Sequence, residues 1–181
     1  ARVYADDSLL TSRKEIVEDV NKVFHMFDAK YQPPRFKSLV VAPFDMRNFF
    51  IRQINREIRN VRLGKDAWVL VKLNSLADEK IVKKLYKASQ AGVKIRLIVR
   101  GICVLVPGIK GLSENIQAIS IVDKFLEHSR VFVFCNGGQE QYYISSADWM
   151  IRNFDNRIEV ACPILDPGIQ KELRDMLEIQ W

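Results

Sequence analysis

The chain has 181 residues, 48% of them hydrophobic, enough to bury a full core and most simply one soluble globular domain. Twenty-eight Lys plus Arg against 22 Asp plus Glu give a net charge of +6, which suits a polyanionic partner such as nucleic acid, phosphate or an acidic surface without choosing among them. Cys103, Cys135 and Cys162 are widely spaced and form no CxxC or Cys/His pair of zinc-site spacing, and no apolar run approaches the ~20 residues of a membrane span.

The start, ARVYADDSLL, has neither an initiator Met nor the charged-then-apolar layout of a signal peptide, and reads as cut from something longer. A reducing cytoplasm is the natural compartment for the odd cysteine count. Ile16, Val20, Val23, Phe24 and Phe27 recur at helical spacing and predict a first helix from Ser12 to about Tyr31. His25, beside that stripe, reads as a structural or surface histidine. Two prolines in YQPPRFKS break the helix and lead to a strand, LVVA.

From Asp45 the helical pattern returns, with Met46, Phe49, Phe50, Ile54 and Ile58 inward and Arg52, Arg56 and Arg59 on another, solvated face, ending near Gly64. AWVLVKL is a mostly apolar strand. The segment NSLADEKIVKKLYKASQAG predicts a helix that stops at Gly92, with Ser75 and Asp78 in capping-box spacing at its start. VKIRLIVRG is a strand too apolar on both faces to lie at a solvated surface, so the alternation argues for an α/β sheet covered on both sides. Arg100 stands at its carboxyl end, where ligands of open α/β sheets collect. IQAISIV, RVFVF, QYYISS and NRIEVACPIL are further strands, before a C-terminal helix from Pro167 to Trp181.

His128 and Arg130, in LEHSR, precede the VFVF strand. A histidine titrates near neutrality and serves as nucleophile or proton donor at a phosphoryl centre, and a guanidinium holds phosphate oxygens bidentately. Downstream stands SSADWMIRNFDNRIEV, whose small hydroxyl residues at a strand end leave room for close approach to the backbone. This order resembles the phospholipase D superfamily, with its His-x-Lys strand, a Gly-Ser or Ser-Ser with an Asn, and a later strand like N…EV. The match is degenerate. Arg130 replaces the lysine, Cys135 stands where the aspartate would fall, and Asp148 replaces the asparagine.

A closer resemblance covers nearly the whole chain. VRGICVLVPGIKGLSENIQAISIVDKFLEHSRVFVFCNGG and YYISSADWMIRNFDNRIEVACPILDP resemble the C-terminal catalytic region of the bacterial polyphosphate kinase family, and ARVYADDSLLT resembles that family's TARxYTDxxLLT segment. The resemblance implies a phospholipase-D-like α/β domain, residues 1–181, with a mixed β-sheet flanked by helices on both faces. It would be the second of two such domains, with 1–11 leading in from the first. It implies ATP and inorganic polyphosphate as substrates, ADP as co-product, magnesium held by ligands outside this chain, and a phosphorylated histidine in the preceding domain. Tyr4, Arg100 and His128 match the family's nucleotide site, with His128 catalytic; Arg130, Arg152 and Arg157 are candidates only for polyphosphate contacts.

Tyr4 can stack on adenine and Arg100 can fork onto phosphate. Each has a bland alternative. Tyr4 packs under the first helix, Arg100 pairs with a carboxylate such as Asp123, His128 is a strand-end structural histidine, and Arg152 and Arg157 are tied to Asp148, Asp155 or Glu159. The longer enzyme is expected to be a cytoplasmic homo-oligomer with room for peripheral membrane association, and no nucleic acid is expected as a partner. With no GxxxxGK[ST] loop, an ordinary P-loop kinase is excluded. A phosphodiesterase or nuclease half-domain and a non-catalytic polyanion-binding module are the rival readings.

Overall fold

The computed structural model describes residues 3–28 and 34–181. Helix α1 (Lys14–Asp28) packs Ile16 and part of Val23 on Leu39, Val41, Val160 and Cys162, whereas Val17, Val20, Phe24 and Phe27 are exposed. The periodicity predicts the helix correctly, but most of its apolar stripe faces outward. His25 is exposed. The predicted helix end near Tyr31 and residues 31–33 of the proline stretch lie outside the described residues.

A polar residue ties α1 down. Asp19, fully buried, accepts through Oδ2 from the backbone N–H groups of Lys37 at 2.7 Å, Ser38 at 2.7 Å and Leu39 at 3.1 Å, and through Oδ1 from Lys22 Nζ at 2.7 Å. Burial alone would raise its pKa, but the Lys22 ammonium and the three N–H donors together hold it below the ordinary carboxylate value. Its contribution to stability is therefore present above the unfolded-state value of about 3.9 and is lost as pH falls through the lower folded value. Asp19→Ala should cost about 2 kcal/mol at neutral pH, with donors near the exposed Lys37 rescued by water. In thermal melts its deficit should shrink as pH drops below about 4.

The chain then alternates β2 (Val40–Ala42), α2 (Met46–Arg62), β3 (Trp68–Leu73), α3 (Glu79–Gln90), β4 (Lys94–Val99) and β5 (Ile116–Ile119). It continues through β7 (Val131–Phe134), β8 (Gln141–Ser145), β9 (Glu159–Ile164) and α5 (Pro167–Gln180). These seven strands form one mixed sheet in the order β2-β9-β8-β7-β3-β4-β5, parallel across β3, β4 and β5 and antiparallel elsewhere. Helices α2 and α3 bury Phe50, Ile54, Ile81 and Leu85 on one face against Val69, Val71, Leu97 and Phe132. Helix α5 covers the other with Leu173 and Leu177 on Leu70, Ile98, Val133 and Ile164. The expectation of a sheet covered on both faces holds because alternate residues of each central strand have a separate core to enter.

Two local readings change. Helix α2 does bury Met46, Phe50 and Ile54, but Gln53, Glu57 and Asn60, four and three residues apart, form a buried polar row beside them. Glu57 accepts from Asn136 N at 2.8 Å, and burial raises its pKa above the ordinary range. Helix α3 starts later than the capping-box spacing implies. Asp78 is its N-cap and accepts from Ile81 N at 3.0 Å, while residues 74–77 stay outside the helix, with Leu76 bridging Cys103 and Trp149. Ser75 is not a cap, because the helix begins at Glu79 with Asp78 capping it, and the Ser75 N–H donates to Asp148 rather than to Asp78.

Three short elements escape the sequence pattern: β1 (Tyr4–Ala5), β6 (Leu126–Glu127) and α4 (Ile151–Asp155). Strands β1 and β6 pair in parallel as a separate ribbon at the edge of the site. Among the described residues no helix is long and apolar enough to cross a membrane.

Candidate active site

Strands β3 and β4 end side by side and deliver Asn74 and Arg100 one residue beyond their carboxyl ends. Arg100 donates its backbone N–H to Leu73 O at 3.2 Å and its Nε to Asn74 Oδ1 at 2.8 Å. Asn74 Nδ2 in turn donates to His128 O at 3.3 Å. One asparagine thus joins two residues that the sequence singled out separately. Arg100 is not tied to Asp123, and its terminal nitrogens have no partner among the described residues.

His128 is placed by the β1–β6 ribbon. Its N–H donates to Ala5 O at 2.9 Å, and the preceding Glu127 is clamped by Lys72 Nζ at 2.6 Å and Gln180 Nε2 at 3.1 Å. Lys72 is itself buried within β3, so the ribbon is anchored to the sheet by a desolvated ion pair. The His128 ring lies edge-on to Tyr4, with centroids 5.2 Å apart, and its Nδ1 is 2.7 Å from Asp6 Oδ2. A carboxylate only accepts, so Nδ1 carries hydrogen and Nε2 is the nitrogen left for chemistry. Tyr4 is half exposed beside this ring and does not pack under α1.

Arg130 is the third member. Its Nη1 donates to His128 O at 3.0 Å and lies 3.2 Å from His128 Nε2, while Nε and Nη2 fork onto the two oxygens of Asp148, each at 3.3 Å. Asp148 Oδ1 also accepts from Asn74 N at 2.8 Å and Ser75 N at 3.2 Å. Two of the three departures from the phospholipase D pattern meet here: arginine for lysine and aspartate for asparagine stand opposite each other as an ion pair. Trp149, fully buried and stacked on Phe132 at 5.2 Å, fixes the segment that carries Asp148. Cys135 is buried beyond the far end of β7 and takes no part.

The hydroxyls of SSADW serve the neighbouring strand. Ser145 Oγ donates to Val160 O at 3.0 Å and Ser146 Oγ donates to the Glu159 carboxylate. Glu159, 8% exposed, accepts in addition from Asn153 Nδ2 at 2.6 Å. An open cleft of about 510 Å³ is lined by Asp6, His128, Arg130, Ser146, Arg157 and Glu159 among others. Arg157 reaches Glu159 at 3.9 Å and belongs to this cleft. Arg152 is exposed on α4 and does not line it; its suggested partners are occupied otherwise, Asp155 by Arg47 and Asp148 by Arg130.

Sequence reasoning passed over Asp6 and Asn74. Asn74 had a usable signal, since it follows a central parallel strand as Arg100 does. Asp6 had none, because its partner is 122 positions away. Among the described residues no three His, Cys, Asp or Glu side chains are grouped to hold a metal ion.

The arrangement offers an anion the free end of the Arg100 guanidinium and presents an imidazole oriented by a carboxylate. A family model described as polyphosphate kinase C-terminal domain 2 matches residues 39–181. The polyphosphate kinase of Vibrio parahaemolyticus is 51% identical over 181 residues, covering all of this chain and 26% of that protein. The crystal structure of polyphosphate kinase from Porphyromonas gingivalis superposes with a TM-score of 0.96 at 50% identity, covering 99% of this chain and 28% of that one. Nuc from Salmonella typhimurium, a phospholipase D family member, superposes with a TM-score of 0.57 at 13% identity over 80% of this chain and 93% of that one, a likeness of fold. The chain spans about a quarter of the length of the curated relatives it matches.

Proposed function

The chain belongs to the polyphosphate kinase family, as its C-terminal domain 2, and from that premise we propose that it supplies half of a site for reversible transfer of the terminal phosphate of ATP to inorganic polyphosphate. The other half, with the histidine that becomes phosphorylated, would belong to a preceding phospholipase-D-like domain. Residues 1–181 would act as the second domain, with the 1–11 segment contributing Tyr4 and Asp6 to the site. Tyr4 would offer its exposed face to adenine, Arg100 would fork onto phosphate oxygens, and His128 would donate a proton or hydrogen bond to the transferring group. Arg130 and Arg157 would face the phosphate chain; Arg152, outside the cleft, would meet it only beyond the cleft mouth.

What carries this reading is the unpartnered end of the Arg100 guanidinium, held at the carboxyl edge of β3 and β4 and joined through Asn74 to the carbonyl of His128, whose Nε2 is not committed to a carboxylate. Phosphoryl transfer needs positioning and charge neutralisation more than covalent chemistry from the protein, and this cluster offers both. No set of ligands for magnesium is grouped among the described residues, Asp7 being the cleft carboxylate that keeps a buried, unpartnered oxygen. Asp148 is consumed by Arg130 and two backbone N–H groups, and Asp6 by His128, so the ion would arrive with the nucleotide phosphates. Cytoplasmic location and assembly of the longer enzyme into a homo-oligomer belong to the same proposal.

Arg100→Ala in the whole enzyme tests it. Losing a charge-assisted contact to phosphate should lower polyphosphate synthesis about 10- to 100-fold, while the melting temperature stays within about 2 °C of the parent. A large fall in melting temperature with normal synthesis would make Arg100 a structural residue and remove the observation on which the reading stands.

A further inference from the structure

The last turns of α2 and α3 sit together at the opposite end of the sheet from His128. Helix α2 ends at Arg62, shortly before β3 begins at Trp68, and α3 ends at Gln90, shortly before β4 begins at Lys94. Since Asn74 and Arg100 lie past the far ends of these six-residue strands, about 20 Å separates the two regions. Between the helix ends runs an open groove of about 610 Å³, lined by Asn55, Ile58, Arg59 and Arg62 from α2 and by Lys84 and Lys87 from α3.

The charge in this groove is one-sided. Arg59, Arg62 and Lys87 are exposed, and Lys84, half-buried, donates only to Asn55 Oδ1 at 2.9 Å. No carboxylate lines the groove, and none of the four cations has an ion pair among the described residues. Of the five other cations on these helices three are ion-paired, while Arg56 donates to Gln141 Oε1 at 2.6 Å and Lys80 has no ion pair among the described residues. Arg47 is shared by Asp78 and Asp155, Arg52 meets Asp45, and Lys83 meets Glu79. Helix dipoles attract cations to C-terminal turns, but two helix ends present only about one negative charge in total against four positive ones. The excess makes the groove attractive to an external anion.

We propose that the α2–α3 groove is a second binding site for inorganic polyphosphate, gripping a stretch of chain remote from the reacting end. The inference rests on the reading of function above, which supplies the polyanion. The lining favours a bare phosphate chain over nucleic acid, because it has no aromatic side chain on which a base could stack. A short oligophosphate occupies one site or the other, whereas a long chain can occupy both, which raises its affinity by effective concentration.

The test is Arg59→Glu/Lys87→Glu in the whole enzyme, with size-fractionated long-chain polyphosphate and tripolyphosphate as the two probes, titrated over a range of salt. Long-chain affinity should fall about 10- to 100-fold, and the slope of log K against log salt should flatten by about 1 to 2. Tripolyphosphate-primed synthesis and the KM for ATP should stay within about twofold. An Arg59→Gln/Lys87→Gln variant, which removes charge without adding repulsion, should lose about half as much in log K. Unchanged long-chain affinity and salt slope in both variants would overturn the proposal. So would a single-stranded oligonucleotide of equal charge that binds the parent more tightly than polyphosphate and is lost in the variants. If the parent made no polyphosphate from ATP, the functional reading would fail by itself, while direct binding would still decide the groove.

Discussion

His128→Ala in the whole enzyme should lower polyphosphate synthesis by about 10²- to 10⁴-fold, the ordinary consequence of losing one positioned acid or base, while the protein melts within a few degrees of the parent. The stability half of this expectation comes from the contacts. The side chain is 32% exposed and touches Asp6, Tyr4 and Arg130, none of them in either large core. What positions His128 is its backbone, through donation of its N–H to Ala5 O in the ribbon and the Asn74 and Arg130 bonds to its carbonyl, and these survive truncation of the ring. His128→Gln separates the remaining roles, since an amide can hydrogen-bond to Asp6 or phosphate but cannot transfer a proton. Near-normal turnover in the Gln variant would eliminate the acid role and leave anchoring. Near-normal turnover in both variants, measured together with phosphorylation of the enzyme by ATP, would reduce His128 to a structural residue.

Residues 68–73, 94–99, 131–134 and 159–164 were readable as strands because apolar runs with β-branched residues record burial on both faces of the sheet. The same logic failed at α1, where periodicity reports helix but not which neighbour covers Val20, Phe24 and Phe27. Ser75 and Asp78 have the spacing of a capping box, yet spacing cannot tell that the Ser75 N–H is claimed by an aspartate 73 residues away. In the site, Arg100 and His128 were legible from position relative to strands and from resemblance. The groups that join and orient them, Asn74 and Asp6, act through contacts between distant segments. Strands β1 and β6, two residues each, are too short to carry a pattern of their own and exist because they pair with each other.

Asp148 should prove the residue on which fold and site depend together. It is 5% exposed and receives two backbone N–H groups, from Asn74 and Ser75, as well as both arms of the Arg130 fork. Asp148→Ala strands the buried Asn74 and Ser75 donors in a place water barely reaches, and leaves a largely buried guanidinium at the cleft wall without its counter-charge. Breaking such a pair from one side typically costs about 3–5 kcal/mol, which for a chain of this size is a fall of roughly 10 °C in melting temperature. Asp148→Asn is the informative companion. Its Oδ1 can still accept from Asn74 and Ser75, but its NH₂ group points at Arg130, so the cost should drop to about 1–3 kcal/mol while Arg130 loses its fork. Synthesis should fall in both variants, because Arg130 and Asn74 hold the His128 carbonyl and Asn74 also holds Arg100. The pattern to measure is therefore the reverse of His128→Ala: there activity goes and stability stays, whereas here the two decline together, with Asn between Ala and the parent on both scales. Parent-like melting of Asp148→Ala would show that water or a shifted Arg130 satisfies the Asn74 and Ser75 donors, and that the Arg130–Asp148 pair does not hold the site.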